Sequence, residues 1–170
     1  MSDVHEHEVV VIGAGVAGIY QIKRLADLGV DALVLEAQDD LGGTWYRNRY
    51  PGCRFDSESY TYGYSFSQEI LDTWHWKEMF SSQPENLRYL NHVADTFGLR
   101  EHMRFGVRIA SMVWDDAAST WTLTATDGEI FRARFVITAL GPLSTPTLPS
   151  FEGMDDFGGE SFHTFHWPDD

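Results

Sequence analysis

Cysteine is nearly absent: Cys53 stands alone in 170 residues. No intrachain disulfide can form, which suits a reducing compartment and leaves the fold to packing and hydrogen bonds. In an aromatic loop such a residue is expected to be a small packed side chain rather than a nucleophile. Basic charge is also scarce. Twelve Lys and Arg stand against 26 Asp and Glu, for a net charge of −14. That balance repels phosphate backbones and argues against a nucleic-acid partner. A phosphorylated ligand would have to be held by backbone amides and a few local arginines. No apolar run reaches the roughly 20 residues of a membrane-spanning helix. The stretch from Met1 to Glu8 is acidic and His-containing and lacks the basic and apolar regions of a secretory leader. The expected location is therefore cytoplasmic, with no membrane partner. His163 and His166 have no Cys or carboxylate neighbours at ligand spacing, so no metal site is expected.

What is present suits a globular domain. The hydrophobic share is 43% and the charged share 22%, a composition that can bury a core. The length allows one domain and not two ordinary α/β domains. Glu8 to Ile12 is a β-branched run that reads as a buried strand. A glycine-rich stretch follows, then a helix to about Leu28 with Ile19, Ile22, Leu25 and Leu28 on one face and Gly29 as its stop. Asp31 to Leu35 is a second buried strand, which completes a βαβ unit and implies parallel pairing. From Asp40 to Phe80 periodicity gives way to Gly, Tyr, Trp and Phe. This reads as a long ordered loop with short helical pieces, such as Ile70 to Phe80. Pro84 opens a helix whose buried face carries Leu87, Leu90, Val93, Ala94 and Phe97, ended by Gly98. Phe105 to Trp114, Thr120 to Ala125 and Glu129 to Ile137 form an antiparallel meander with a hairpin at Asp127–Gly128. Its last run feeds an apolar strand, Phe135 to Leu140. Prolines 142, 146 and 149 stiffen the exit, and the tail from Phe151 is mostly loop.

Two segments carry chemistry that the residues themselves can justify. Gly13-Ala14-Gly15-Val16-Ala17-Gly18 follows a strand and opens a helix. Gly13 permits the tight turn, Gly15 lets a pyrophosphate approach the backbone, and Gly18 allows close helix–strand packing. The pyrophosphate would sit on the helix N-terminus, where free N–H groups favour anions. Glu36, eighteen residues after Gly18, ends the second strand where a carboxylate can accept ribose hydroxyls. An acid there disfavours a 2′-phosphate, which points to FAD or NAD. The second segment is Gly42-Gly43-Thr44-Trp45-Tyr46. A Gly pair after the ribose acid is the pattern of two-dinucleotide-domain flavoproteins and favours FAD, with Trp45 and Tyr46 as walls for the flavin ring. Spacing alone leaves an aromatic core loop equally open.

A longer stretch carries a resemblance. The segment GGTW-Y-x-NRYPG-x-R-x-D-x-ES, running from Gly42 through Arg47, Arg54, Phe55 and Asp56, with Tyr62-x-Tyr64-Ser65-Phe66 after it, resembles Baeyer–Villiger monooxygenases of the cyclohexanone and phenylacetone type. The C-terminal pattern Phe157-x-Gly159-x-x-x-His163-x-x-x-Trp167-Pro168 matches the fingerprint of that family. Related N- and S-oxygenating flavin monooxygenases carry Tyr or Phe in place of the last Trp. Ala139-Leu140-Gly141-Pro142 resembles the A-T-G stretch of the same superfamily, with Leu140 departing from the usual Thr. The resemblance covers about Val9 to Asp170.

The resemblance implies an α/β Rossmann-like FAD-binding domain with a parallel sheet, a small antiparallel meander and a long aromatic loop, incomplete without C-terminal segments. Residues 1–149 would be the FAD-binding part, and 150–170 a linker toward an NADP domain. Asp56 is implied as the catalytic carboxylate, supporting an Arg that stabilises the flavin peroxide; from the residues alone a surface Asp capping a turn is the preferred reading. Gly13, Gly15, Val16, Ala17, Gly18, Glu36, Gly43, Thr44, Trp45, Tyr46, Arg47, Tyr62 and Gly141 are implied cofactor contacts. Ile109 would meet the adenine through its backbone, and Arg54, Phe55 and Asp56 would border the nicotinamide. His163 would couple domain positions rather than act as acid or base. The implied activity is FAD- and NADPH-dependent oxygenation of a ketone by molecular oxygen, through a flavin C4a-peroxide, to an ester or lactone. Such enzymes are about three times longer, and this chain holds only one G-x-G-x-x-G. The expectation is therefore a portion of a larger enzyme, with the NADP domain and C-terminal return supplied by another chain or missing, and no activity alone. Two rivals stay open: an N- or S-oxygenating monooxygenase, and an FAD-binding module without chemistry of its own.

Overall fold

Branched side chains at every position of Val9-Val10-Val11-Ile12 suit a strand covered on both faces, and Val10 and Val11 have no exposed surface. They lie in β1 (Val4–Ile12) of a computed structural model that describes residues 4–168. Helix α1 (Val16–Asp27) follows and is stopped at Gly29, in the left-handed region at φ +67°. Strand β2 (Ala32–Leu35), fully buried, pairs parallel with β1. The short β3 (Met103–Arg104) extends the parallel set beyond β2. On the other side β1 pairs parallel with β6 (Ile130–Thr138). From β6 the sheet continues antiparallel through β5 (Thr120–Ala125) to β4 (Ile109–Asp115). The order is β3-β2-β1-β6-β5-β4.

Alternation along the strands sorts side chains into two cores. Val9, Val11 and Val34 pack with Ile19 and Ile22 of α1 and with Leu90, Val93 and Ala94 of α5 (Gln83–Thr96). Val10, Leu33 and Leu35 pack instead with Leu123, Ala125, Phe131 and Ala133 of the meander. Strands β1 and β2 are thus covered by helices on one face and by the meander on the other. Strand β5 pairs with β6 only as far as Trp121 and Ala133. Beyond that point β6 pairs with β1 alone among the described residues, and Phe135 is 54% exposed.

The structure moves several predicted boundaries. β1 begins at Val4 because its polar first half pairs with residues 130–133. The run predicted over Phe105 to Trp114 is shortened at its start: the meander begins at Ile109, and Met103–Arg104, just before the predicted run, joins the parallel sheet. The meander's last run and the apolar strand after it are one element, β6. The helical piece expected over Ile70 to Phe80 is instead α4 (Gln68–Thr73), following the single turns α2 (Thr44–Arg47) and α3 (Ser59–Tyr62). Ser67 caps α4 by accepting from the Ile70 N–H. It ends at Trp74 because Trp74 and Trp76 turn in against Tyr89 of α5, at ring-centroid distances of 5.3 and 4.7 Å.

These rings belong to an aromatic core that fills the predicted long loop. Phe55 stacks on Tyr62 at 4.5 Å, and Trp45 meets both edge-on while its Nε1–H donates to Tyr62 Oη at 2.8 Å. Tyr64 donates its hydroxyl to the Val16 carbonyl at 2.6 Å, and its N–H donates to Tyr89 Oη at 2.6 Å. A buried carboxylate missed by the sequence, Glu85, accepts from the Lys77 N–H and the Ser81 hydroxyl, tying the loop to α5.

Desolvation raises the Tyr64 hydroxyl far above the ordinary phenol range and pushes Tyr89 up to about 12. A raised folded-state pKa favours the neutral form, so this stability is fully present below the unfolded value of about 10 and is lost above it. Alkaline titration should show these tyrosines ionising only together with loss of circular dichroism, between about pH 10 and 12. Titration of every tyrosine near pH 10 with the fold intact would contradict this packing.

Candidate functional site

The turn after β1 is built from glycines that approach other backbone. Gly13 has φ +103°, and a Cβ there would lie 2.7 Å from the carbonyl oxygen of Ala139, just past β6. A Cβ on Gly18 would lie 1.8 Å from the Gly13 carbonyl oxygen, so any side chain would force the helix off the turn. Gly43 has φ +53°, and its Cβ would lie 2.8 Å from Gly15 Cα. The Gly42 N–H donates to the Ala14 carbonyl at 2.9 Å. The two glycine segments therefore lie backbone on backbone beside the start of α1. The helix N-cap, Gly15, makes no side-chain capping bond, which leaves first-turn N–H groups open to a ligand.

Glu36 fixes this arrangement from the end of β2. It is 7% exposed. Its Oε2 accepts from the Ala14 N–H at 2.7 Å and its Oε1 from the Gln38 N–H at 2.9 Å. An ionised carboxylate has about four lone-pair sites, so two stay available for hydroxyl donors. The acid holds the glycine turn and still has acceptor capacity.

A cleft of about 580 Å³ opens over these residues. Of the predicted cofactor residues, Gly13, Gly15, Val16, Ala17, Glu36, Gly43, Thr44, Arg47, Tyr62, Ile109 and Gly141 line it. Gly18 lies behind, where it packs on Gly13. Trp45 and Phe55 are 5% exposed and sit in the aromatic core rather than on the cleft wall. Tyr46 carries the Arg49 guanidinium at 5.7 Å. Arg54 pairs with Glu78 at 2.9 Å and also donates to the Phe80 carbonyl. Asp56 is exposed and does not line the cleft. Phe157, Gly159, His163 and Trp167 also lie outside the lining. Cys53 is buried, and burial raises its thiol pKa, as suits a packed side chain. Among the described residues no cluster of metal-ligating side chains occurs, and no helix is long and apolar enough to cross a membrane.

The structure adds residues that the sequence reading missed. Gln38, Arg108, Leu143 and Phe165 also line the cleft. Gln38 was within reach of pattern reasoning, being two residues past the ribose acid. Phe165 had no signal, because it occupies a variable position of the C-terminal pattern. The donor set fits a dinucleotide: open helix N–H groups for a pyrophosphate, a carboxylate with spare acceptors for a ribose, and glycines where a Cβ would fill the cradle.

Residues 11–75 match the pattern described as an NAD(P)-binding Rossmann-like domain. The chain is 48% identical over 163 residues to 2-oxo-Δ3-4,5,5-trimethylcyclopentenylacetyl-CoA monooxygenase of Pseudomonas putida, covering 96% of this chain and 30% of that protein. It is 41% identical to the phenazine N-monooxygenase PhzNO1 of Lysobacter antibioticus, covering 99% of this chain and 31% of that protein. Among solved structures, the closed form of cyclohexanone monooxygenase superposes with TM-score 0.91 at 42% identity, covering 98% of this chain and 32% of that one. The OTEMO complex with FAD and NADP superposes with TM-score 0.88 at 48% identity, covering 95% and 31%. The chain therefore spans about a third of the length of the relatives it matches.

Replacing Glu36 with Ala should lower folding stability by about 2–4 kcal/mol, since a buried and a part-buried N–H group lose a charged acceptor. Glu36→Gln keeps one acceptor oxygen and should lose less. Urea denaturation measures both, and unchanged midpoints would show that the acid does not hold the turn.

Proposed function

We propose that this chain, the counterpart of the N-terminal portion of Baeyer–Villiger-type flavin monooxygenases, supplies the FAD site of an NADPH-dependent oxygenase acting on a ketone. The observation that carries the reading is the cleft whose floor is the Gly13–Gly15 turn, backed by Gly43 and held by Glu36. In it Glu36 takes ribose hydroxyls, and the first-turn amides of α1 take the pyrophosphate. The aromatic core behind Trp45 and Phe55 keeps water from that side. When bound, the flavin supplies the chemistry that activates molecular oxygen toward a ketone.

Asp56 stays in this proposal as the carboxylate that orients an arginine contributed from elsewhere. Its exposure leaves it free to do so. Residues 150–170 are read as the linker between the FAD and NADP portions. Two observations support a need for further polypeptide: the chain spans about a third of its relatives, and β6 beyond Ala133 has no outer partner among the described residues. A cytoplasmic setting belongs to the same proposal.

A second reading has an observation of its own. The 41% identity to a phenazine N-monooxygenase supports an enzyme that oxygenates nitrogen, even though Trp167 and the NRYPG segment favour the ketone reading. Turnover of ketones rather than amines or sulfides by the assembled enzyme would separate the two.

For the chain alone, the expectation is one FAD taken up per chain and no bleaching of the flavin absorbance when NADPH is added without oxygen. Uptake without bleaching supports an FAD site whose NADPH site lies elsewhere. Rapid bleaching would contradict that division, and failure to take up FAD would contradict the reading as a whole.

A further inference from the structure

The C-terminal segment contributes little to the core. Phe151, Met154, Phe157 and Phe162 are 67%, 47%, 64% and 49% exposed. Its hydrogen bonds are short-range among the described residues, such as Met154 N–H to the Phe151 carbonyl and His166 N–H to the His163 carbonyl. Phe165 is the exception. Its ring is half-buried and lines the dinucleotide cleft. The Arg47 guanidinium carbon lies 4.5 Å from the ring centroid, well inside the range of a cation–π contact. This ring is placed by its neighbour. The Phe165 N–H donates to His163 Nδ1 at 3.1 Å, which caps the 3-10 turn Thr164–His166 that carries it.

Arg47 approaches from the other wall. It ends the single turn α2, four residues after Gly43. Its Nη1 makes one long bond to Gln38 Oε1 at 3.4 Å, and its Nε is sealed from water without a hydrogen-bond partner. The Gln38 N–H is itself bound by Glu36. The ring and the guanidinium therefore meet beside the acid that is read as the ribose site. A cation with one buried, unmet donor, covered on one face by an aromatic ring, stands in a cleft whose expected ligand carries a pyrophosphate. Excluding water there strengthens every charge interaction of Arg47.

We infer that Arg47 and Phe165 form a latch, positioned by His163, that closes the C-terminal segment over the adenosine end of the FAD cleft and slows release of the cofactor. The inference rests on the FAD reading above. It gives the cleft-lining side chain of a largely exposed segment a task at the cleft. It also gives His163 a positioning role that needs neither acid–base chemistry nor a metal.

The test uses the FAD-loaded chain and follows release by the recovery of free-flavin fluorescence. Arg47→Ala and Phe165→Ala should each speed release about tenfold, a size that a partly desolvated cation–π pair supports. The double variant should release no faster than the quicker single one, because both changes break one contact. Phe165→Tyr keeps the ring face and should stay near the parent rate. Phe165→Leu keeps apolar volume without the π-face and should release fast. His163→Asn, which can still cap the turn, should restore most of what His163→Ala loses. Circular dichroism of each variant separates these effects from loss of fold. Effects that multiply in the double variant, or a Phe165→Leu rate equal to the parent, would overturn the latch alone. A parent chain that takes up no FAD would overturn the FAD assignment and the latch with it.

Discussion

A Cβ on Gly43 would lie 2.8 Å from the Cα of Gly15, and one on Gly18 would lie 1.8 Å from the carbonyl oxygen of Gly13. No side chain fits at either place, so the main chain at the end of β1 is free to touch main chain on two sides. That contact sets the rest of the molecule. It seats α1 against β1 with its first-turn amides open. It brings the segment after Gly42 alongside the turn, through the bond from Gly42 to the Ala14 carbonyl. It also leaves Glu36 as the side chain that reaches both the turn and the start of the following loop. Backbone amides and one buried acid are an economical way for a chain of net charge −14 to hold a phosphorylated ligand, since they do not depend on bulk positive charge.

The second constraint is how the aromatic loop stays ordered without regular structure. Its rings pack edge-on and stacked around Phe55 and Tyr62, and its polar groups are met by Ser59, Ser81 and Glu85. Tyr64 links this core to the cofactor turn through the Val16 carbonyl. Packing of the loop and the position of the first residue of α1 are therefore coupled. A change in the aromatic core would be felt at the helix terminus proposed to take the pyrophosphate.

Much of this was legible in the residues. The β-branched run, the three glycines and the acid at the end of β2 specify a turn whose steric demands the fold meets one by one. The helix behind Pro84 and the hairpin at Asp127–Gly128 were equally readable, because Gly and Pro act locally. The short β3 was not, because two residues carry no periodicity and their pairing with β2 is decided by tertiary packing. Trp74 and Trp76 looked helical and turned inward instead, since burying indole area outweighs one more helical turn. Trp45 and Phe55, expected beside the cofactor, sit in the aromatic core. Spacing cannot tell a ring that walls a cleft from one that fills a core. Phe165 is illegible in the sequence for a related reason: its partner Arg47 is 118 positions away in the chain, and nothing local marks either residue as half of a pair.

Backbone meeting backbone at Gly15 and Gly43 is proposed to form the floor of a flavin site. Calorimetric titration of FAD into the chain and into its Gly43→Ala variant tests this most directly. The parent should show one tight site and the variant at least about a tenfold loss of affinity, with the fold retained by circular dichroism. Equal affinity in the two proteins would contradict it.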